Sequence, residues 1–356
     1  MKQIFLFFLK ACLVVSTVFV TAHADKFSDG MQAAQQGNYQ AAQQSWLAAA
    51  KQGNVEAQYN LGALMLSGKL GHPDYDSAMS WLDIAAQKGH DEAAYALGML
   101  YYTGNEPDVE RDQKKAFELF RKSAERGSAA AQFNVGAMLM NGQGVSKDLI
   151  SAADWFEKAA EQGNSQAQFN LGLLYLSGSG VKQDPKQAYL WFKRSAELGY
   201  PNAQYRVAKM LFDGDGVALD HEQAKSWFLK AQENKSVEAA FMLGFMSYLG
   251  LGGSQDYVMA RHWFDVSAKG WDRNAQFYLG LMSFNGDGEE KNLIEAYKWF
   301  DLAASSGHED AHYYRSAVAA MLTEEQKKQA SQLAQKWFDE NHDTPHKHYN
   351  KVPHQH

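Results

Sequence analysis

Residues 308–312 read His308-Glu309-Asp310-Ala311-His312, the H-E-x-x-H spacing in which two histidines one helical turn apart bind zinc and the glutamate activates a water. That chemistry needs the segment inside a helix and a third ligand. The equivalent five positions elsewhere in the chain, Asn54 to Gln58, His90 to Ala94 and Asn164 to Gln168, mark a junction at which a helix begins. His308 and His312 are thus weak metal candidates. Ser179-Gly180-Val181-Lys182 carries the S-x-x-K spacing of serine β-lactam hydrolases, with no S-D-N or K-T-G to accompany it. Asp213-Gly214-Asp215-Gly216 and Asn285-Gly286-Asp287-Gly288 lack the further acidic positions of a calcium loop and read as turns. The carboxyl-terminal stretch holds His342, His346, His348, His354 and His356, with His346 and His348 a second weak metal pair. No coherent catalytic set emerges, and neither a catalytic residue nor a cofactor is expected.

The elements that would carry any site follow from the bulk numbers and from the repeats. At 356 residues, with 46% hydrophobic and 21% charged residues, the chain is too apolar to be disordered and long for one compact core. Lys2, an apolar stretch from Ile4 to Val20 and Ala22-His23-Ala24 read as a secretory signal peptide over residues 1–24, cleaved after Ala24. The stretch is interrupted by Lys10 and falls short of a spanning helix, so no membrane span is expected after cleavage. Removing residues 1–24 takes away Lys2 and Lys10 and no acid, which moves the formal charge from -7 to -9. Nucleic acid is therefore disfavoured as a partner. The one cysteine, Cys12, lies inside the leader, so the mature chain has neither disulfides nor a cysteine nucleophile.

Ala167-Gln168-Phe169-Asn170-Leu171-Gly172 returns along the chain in varied form, with glycines at 62, 98, 136, 172, 244 and 280. The step is 36 residues, stretched once to 38, and Ala208 and Ser316 fill the two missing places. In phase with it runs alanine, two residues, then tryptophan, as at Ala78/Trp81, Ala152/Trp155, Ala188/Trp191, Ala224/Trp227, Ala260/Trp263 and Ala296/Trp299. The spacings predict two helices per repeat. Asn38, Asp74, Asp112, Asp148, Asp184, Asp220, Asp256 and Asn292 stand seven residues before the tryptophan position and are placed to cap the second helix. Glycines such as Gly53, Gly89, Gly127, Gly163, Gly199 and Gly307 are placed to end it. A mid-helix glycine costs about 1 kcal/mol relative to alanine, so close packing of neighbouring helix backbones must compensate. The tryptophan is expected to wedge between repeats, and the series Tyr59, Tyr95, Phe133, Phe169, Tyr205, Phe241, Phe277, Tyr313 to pack against an adjacent unit.

The run A-x-x-x-L-G, the G-x-G-V loop, Asp before the second helix, A-x-x-W-F and A-A-x-x-G together resemble the Sel-one-like repeat (SLR) family, relatives of tetratricopeptide repeats. The resemblance implies an all-α fold, a right-handed superhelical solenoid of antiparallel helix pairs. Expected boundaries are an amino-terminal capping pair over residues 25–54, seven repeats over 55–307, capping helices over 308–341 and a disordered His-rich tail over 342–356. Leu119 replaces a tryptophan, Lys209 disturbs the unit that also carries Arg206 and Gly270 falls one place early, before Trp271. Some cysteine-rich relatives bind or hydrolyse β-lactams, but the paired cysteines of that subgroup are absent.

Within each first helix, variation concentrates one residue after the aromatic and three residues further on, a single helical stripe. In the late repeats it becomes basic and then apolar: Arg206 and Lys209, then Met242, Phe245, Tyr278, Leu281 and Tyr314. If first helices line the concave face, as the resemblance implies, this strip is a groove for a peptide or partner helix. The expected function is a non-enzymatic scaffold or adaptor in the periplasm that binds a protein. One alternative is a secreted or surface virulence factor that binds a host protein and promotes passage into host cells or trafficking. The other is an enzyme, a metallopeptidase through His308-Glu309-x-x-His312 or a β-lactamase-like hydrolase.

Overall fold

The computed structural model describes residues 25–105 and 107–341. Among the described residues every regular element is an α-helix, and an isolated antiparallel bridge between Asn105 and Val109 ties the longest loop. The chain separates into two compact units, one reaching Ala167 and including 179–181, the other formed by 168–178 and the residues from Lys182 on. The leader, Glu106 and residues 342–356, including His346 and His348, lie outside the described residues.

The first unit opens with the pair Lys26–Gln35 and Tyr39–Lys51, followed by Val55–Leu66 with Tyr75–Gln87, Asp91–Thr103 with Gln113–Glu125, and Ala129–Asn141 with Leu149–Glu161. Within this unit each first helix packs on the second helix of its own pair, and the second helices up to Gln113–Glu125 pack on the first helix of the next. The second unit repeats the arrangement. Pro201–Asp213 lies on His221–Glu233, Val237–Leu249 on Tyr257–Lys269 and Arg273–Asn285 on Leu293–Ser305. Ala311–Ala319 follows in the first-helix position, and Glu324–Asn341 turns back onto Leu293–Ser305.

Every second helix is capped as its sequence requires. The eight Asp or Asn side chains accept the backbone N–H three residues on, at 2.9 to 3.1 Å. At the far end six glycines take φ between 82° and 106° and close the helix. Lys235 and Trp271 stand at the two remaining places with φ of 62° and 66°, a region that costs a residue with a Cβ about 1–2 kcal/mol. The second glycine of each G-x-G loop is fixed by contact as well as by backbone. A Cβ on Gly216, φ 68°, would fall 2.4 Å from the backbone of Pro185.

The mid-helix glycines lie closest to side chains of the second helix, and at Gly62 and Gly136 the expected backbone approach accompanies this, a Cβ there falling 3.1 and 3.2 Å from the Ala78 and Ala152 carbonyls. A Cβ on Gly98, Gly136, Gly172, Gly244 or Gly280 would lie 2.6 to 2.8 Å from the ring of Phe120, Phe156, Phe192, Phe264 or Phe300. In the first repeat Leu82 takes the ring's place against Gly62. All six of these partners, and Phe228 beside Ala208, are fully buried. The central residue of the second helix is therefore the one after tryptophan. The tryptophans are intermediate or just buried: Trp81, Trp155, Trp227 and Trp263 keep part of their surface in solvent. A cation on the same helix covers several of them, as Lys158 over Trp155 at 4.3 Å, Arg194 over Trp191 at 4.5 Å and Lys230 over Trp227 at 4.0 Å.

A buried glutamine, four residues before the mid-helix position, adds a polar tie between helices. Gln132 donates to the Ala124 carbonyl at the end of the preceding second helix, at 3.2 Å, and accepts from Gln162 at the end of its own, at 2.7 Å. Gln204 does the same with Ala196 and Asn234, at 3.5 and 3.3 Å. One side chain thereby satisfies a carbonyl at the end of one second helix and ties it to the end of the next.

Phe264→Ala is expected to cost about 3–5 kcal/mol in urea unfolding, and Gly244→Ala less, because Ala208 shows that a repeat can be built around a methyl group there. Lys235→Gly should raise stability by about 0.5–1 kcal/mol, as the exposed lysine has only its left-handed backbone to lose.

Candidate interaction surface

The first-helix aromatics that the sequence assigns to packing against an adjacent unit pack both within their own repeat and, at several places, against the next. Tyr95, Phe133, Phe169, Tyr205, Phe241 and Phe277 each sit 5.4 to 5.9 Å from the buried phenylalanine of the same repeat's second helix. Contact with the following repeat comes through the residue at the junction and, in the late repeats, also through Tyr278 on Phe241 and Tyr314 on Phe277. His90 stacks on Tyr59 at 4.5 Å, Tyr200 meets Phe169 at 5.2 Å and His308 stacks on Phe277 at 4.1 Å. The last member, Tyr313, breaks the series: with no second helix of its own repeat against it, it is 74% exposed.

The stripe in the late repeats divides. Met242 is buried, against the expectation that it lines a surface, because it belongs to the core formed with Val207, Leu211, Leu243 and Met246. Phe245 is half-buried and meets Phe212, Phe241 and Tyr278 at 6.4, 6.2 and 5.8 Å. Tyr278 stacks on Phe264 at 5.1 Å and touches Tyr248 at 5.8 Å. Burial pushes the Tyr278 phenol up from its ordinary value. Leu281 and Tyr314 are half-buried around Phe277, and Tyr314 meets Phe277 and Phe300 at 5.2 and 5.3 Å. Phe245, Tyr278, Leu281 and Tyr314 thus form a half-covered aromatic and aliphatic strip. Their inner edges pack, and their outer edges meet solvent.

The basic end is less free than the sequence suggests. Lys209 pairs with Asp213 one turn on and lies 5.7 Å from the Phe212 ring, which joins it to Phe245. Arg206 is exposed. Phe241, which the sequence assigns to packing, holds the strip from below together with Phe212 and Tyr248, which sequence reasoning missed. The recurrent aromatic four residues after the mid-helix position, Phe212, Tyr248 and Phe284, was the available signal. The Tyr248 hydroxyl donates to Asp287 at 2.8 Å, and burial together with that carboxylate pushes its pKa up to about 12.

The H-E-x-x-H segment does not form a zinc face. His308 precedes the helix, which starts at Ala311, and its Nδ1 is buried against the end of the repeat while His312 is exposed. Among the described residues no group of three or more His, Cys, Asp or Glu side chains is placed to hold a metal ion. Burial lowers the His308 pKa below 6.5. Such a group favours the neutral folded form, so its contribution to stability is complete above about pH 6.5 and is lost as pH falls below it. His308→Asn, which borrows the residue found at Asn54 and Asn164, should flatten the fall of Tm on acidification below that pH, as followed by circular dichroism.

Comparison with known proteins places these observations. A family model described as Sel1 repeat matches seven times, over residues 55–90, 91–128, 129–164, 165–200, 201–235, 237–270 and 273–308. The chain is similar to a protective antigen of uropathogenic Escherichia coli displaying an SLR fold, at 31% identity and a TM-score of 0.79, over 89% of this chain and 68% of that one. It is also similar to a Sel1 repeat protein from Oxalobacter formigenes, at 28% identity and a TM-score of 0.59, over 69% of this chain and 97% of that one. Comparison with curated proteins returns no match.

Proposed function

The chain belongs to the Sel1 repeat family, and from that premise we propose that it is a periplasmic scaffold that holds a protein partner on the first-helix strip of its late repeats. Proteins of this fold are typically non-catalytic interaction scaffolds, and their partners are proteins. The observation that carries the reading is the half-covered strip Phe245, Tyr278, Leu281 and Tyr314, with exposed Arg206 on the same stripe. Large apolar side chains that pack on one edge and meet water on the other present area without being free to move, which lowers the entropic cost of binding. A peptide or amphipathic helix with an apolar face and an acidic residue toward Arg206 fits this chemistry. Export is supported by Lys2, the apolar run Ile4 to Val20 and Ala22-His23-Ala24. Among the described residues no helix is long and apolar enough to cross a membrane.

A photo-crosslinking amino acid at Leu281 of the full chain should capture a protein in intact cells, whereas one at Leu190, 43% exposed on a second helix, should not. Equal capture at both sites, or none at Leu281, removes the strip as the binding surface. Arg206→Glu should weaken capture about tenfold, roughly 1.4 kcal/mol, with Tm unchanged.

A second reading, a secreted or surface factor directed at a host protein, draws on the similar Escherichia coli protein being a protective antigen. Osmotic-shock release with none of the protein in the medium or on the cell surface supports the periplasmic reading. Protein in the medium or on the surface supports the second.

A further inference from the structure

Of the two residues with a Cβ that take the left-handed turn after a second helix, Lys235 is exposed and Trp271 is held. Glycine is missing at 271 because it is needed one place earlier. Gly270 has φ -84° and ψ 12°, a backbone open to any residue, but a Cβ there would lie 2.3 Å from one Val237 methyl carbon and 2.8 Å from the other. The demand at 270 is for space, and the left-handed turn then falls to tryptophan. A side chain enters that region only where its surroundings hold it.

Those surroundings are the last helix. The Trp271 ring lies edge-on to Trp337 at 5.5 Å and to Phe338 at 5.3 Å, and its Nε1–H donates to the Asn341 carbonyl at 3.3 Å. Trp337 also meets Trp299 at 5.4 Å, so it is wedged between one indole at the turn and another in the middle of Leu293–Ser305. The helix that carries it packs on Leu293–Ser305 and leaves Tyr313 of the preceding helix open. It does not continue the array. Immediately after Trp271 comes Asp272, whose carboxylate accepts the Ala275 N–H at 2.8 Å and caps Arg273–Asn285.

We propose that Glu324–Asn341 is a clamp on the turn between the sixth and seventh repeats: by gripping the Trp271 indole it holds the left-handed backbone there and so fixes the first turn of Arg273–Asn285. Arg273–Asn285 also carries Tyr278 and Leu281, so the clamp acts on a helix of the proposed binding strip. That consequence rests on the binding reading, whereas the measurement below does not.

The test is amide hydrogen exchange on the full chain. Trp337→Ala is expected to speed exchange at residues 272–277 about tenfold while amides of Pro201–Asp213 keep their wild-type rates. Adding Trp271→Gly should bring 272–277 back to within about threefold of wild type, because glycine holds the left-handed turn unaided. Unchanged exchange at 272–277 in Trp337→Ala, or no recovery in the double variant, overturns the clamp. If Trp337→Ala loses helix content, Phe338→Ala replaces it. Phe338 is 40% exposed and touches the same indole, so a smaller rise at the same amides is expected, and wild-type rates there overturn the proposal equally.

Discussion

A mid-helix glycine and a buried ring one helix away set the dimensions of five of the seven repeats, with Leu82 replacing the ring in the first and Ala208 the glycine in the fifth. The ring lies so close to the glycine that even a methyl group on it would press into the phenylalanine. This contact draws the two helices of a repeat together and leaves the phenylalanine fully buried, which contributes about 1.5–3 kcal/mol against a helix-propensity cost of about 1 for the glycine. The spacing it sets lets the first-helix aromatic reach the same ring, and lets the buried glutamine reach the helix ends on either side.

The same constraint explains why the candidate surface lies where it does. Met242 joins the core with Val207, Leu211, Leu243 and Met246, whereas Tyr278 and Tyr314, at the same place in the following units, are larger and remain half-covered. With Phe245 and Leu281, three residues further along the stripe, they lie over a floor that includes Phe212, Phe241, Tyr248 and Phe264. A floor of rings holds these side chains in place without covering them. The histidines at repeat junctions are absorbed by the same packing. His90 and His308 each begin a repeat by lying on the aromatic of the one before, and a stacked, buried imidazole is poorly placed to join a metal site.

Glu324–Asn341 departs from the repeat pattern. Among the described residues no second helix covers Tyr313 of Ala311–Ala319, and the following helix goes instead to the tryptophans of the preceding turn and helix. Its docking and the reversed Gly270-Trp271 pair are two parts of one arrangement. Read singly, the first resembles an ordinary cap and the second a lapse in the repeat.

Periodic features were legible from the sequence because each is local. An Asp three residues before an amide, a glycine after a helix and a 36-residue phase act within a turn or a repeat, and the helices and caps follow from them. Membership of the family is legible for the same reason, since it is the sum of such signals over seven units. What only the tertiary structure decided is which of two adjacent large residues is central. Tryptophan and phenylalanine differ by one position, about 100° around the helix, and neither composition nor period tells which faces the glycine. The same holds for Met242 against Phe245 and for Trp271, whose environment comes from residues some seventy places away. Burial is a property of what lies opposite, and what lies opposite is set by the packing of whole helices.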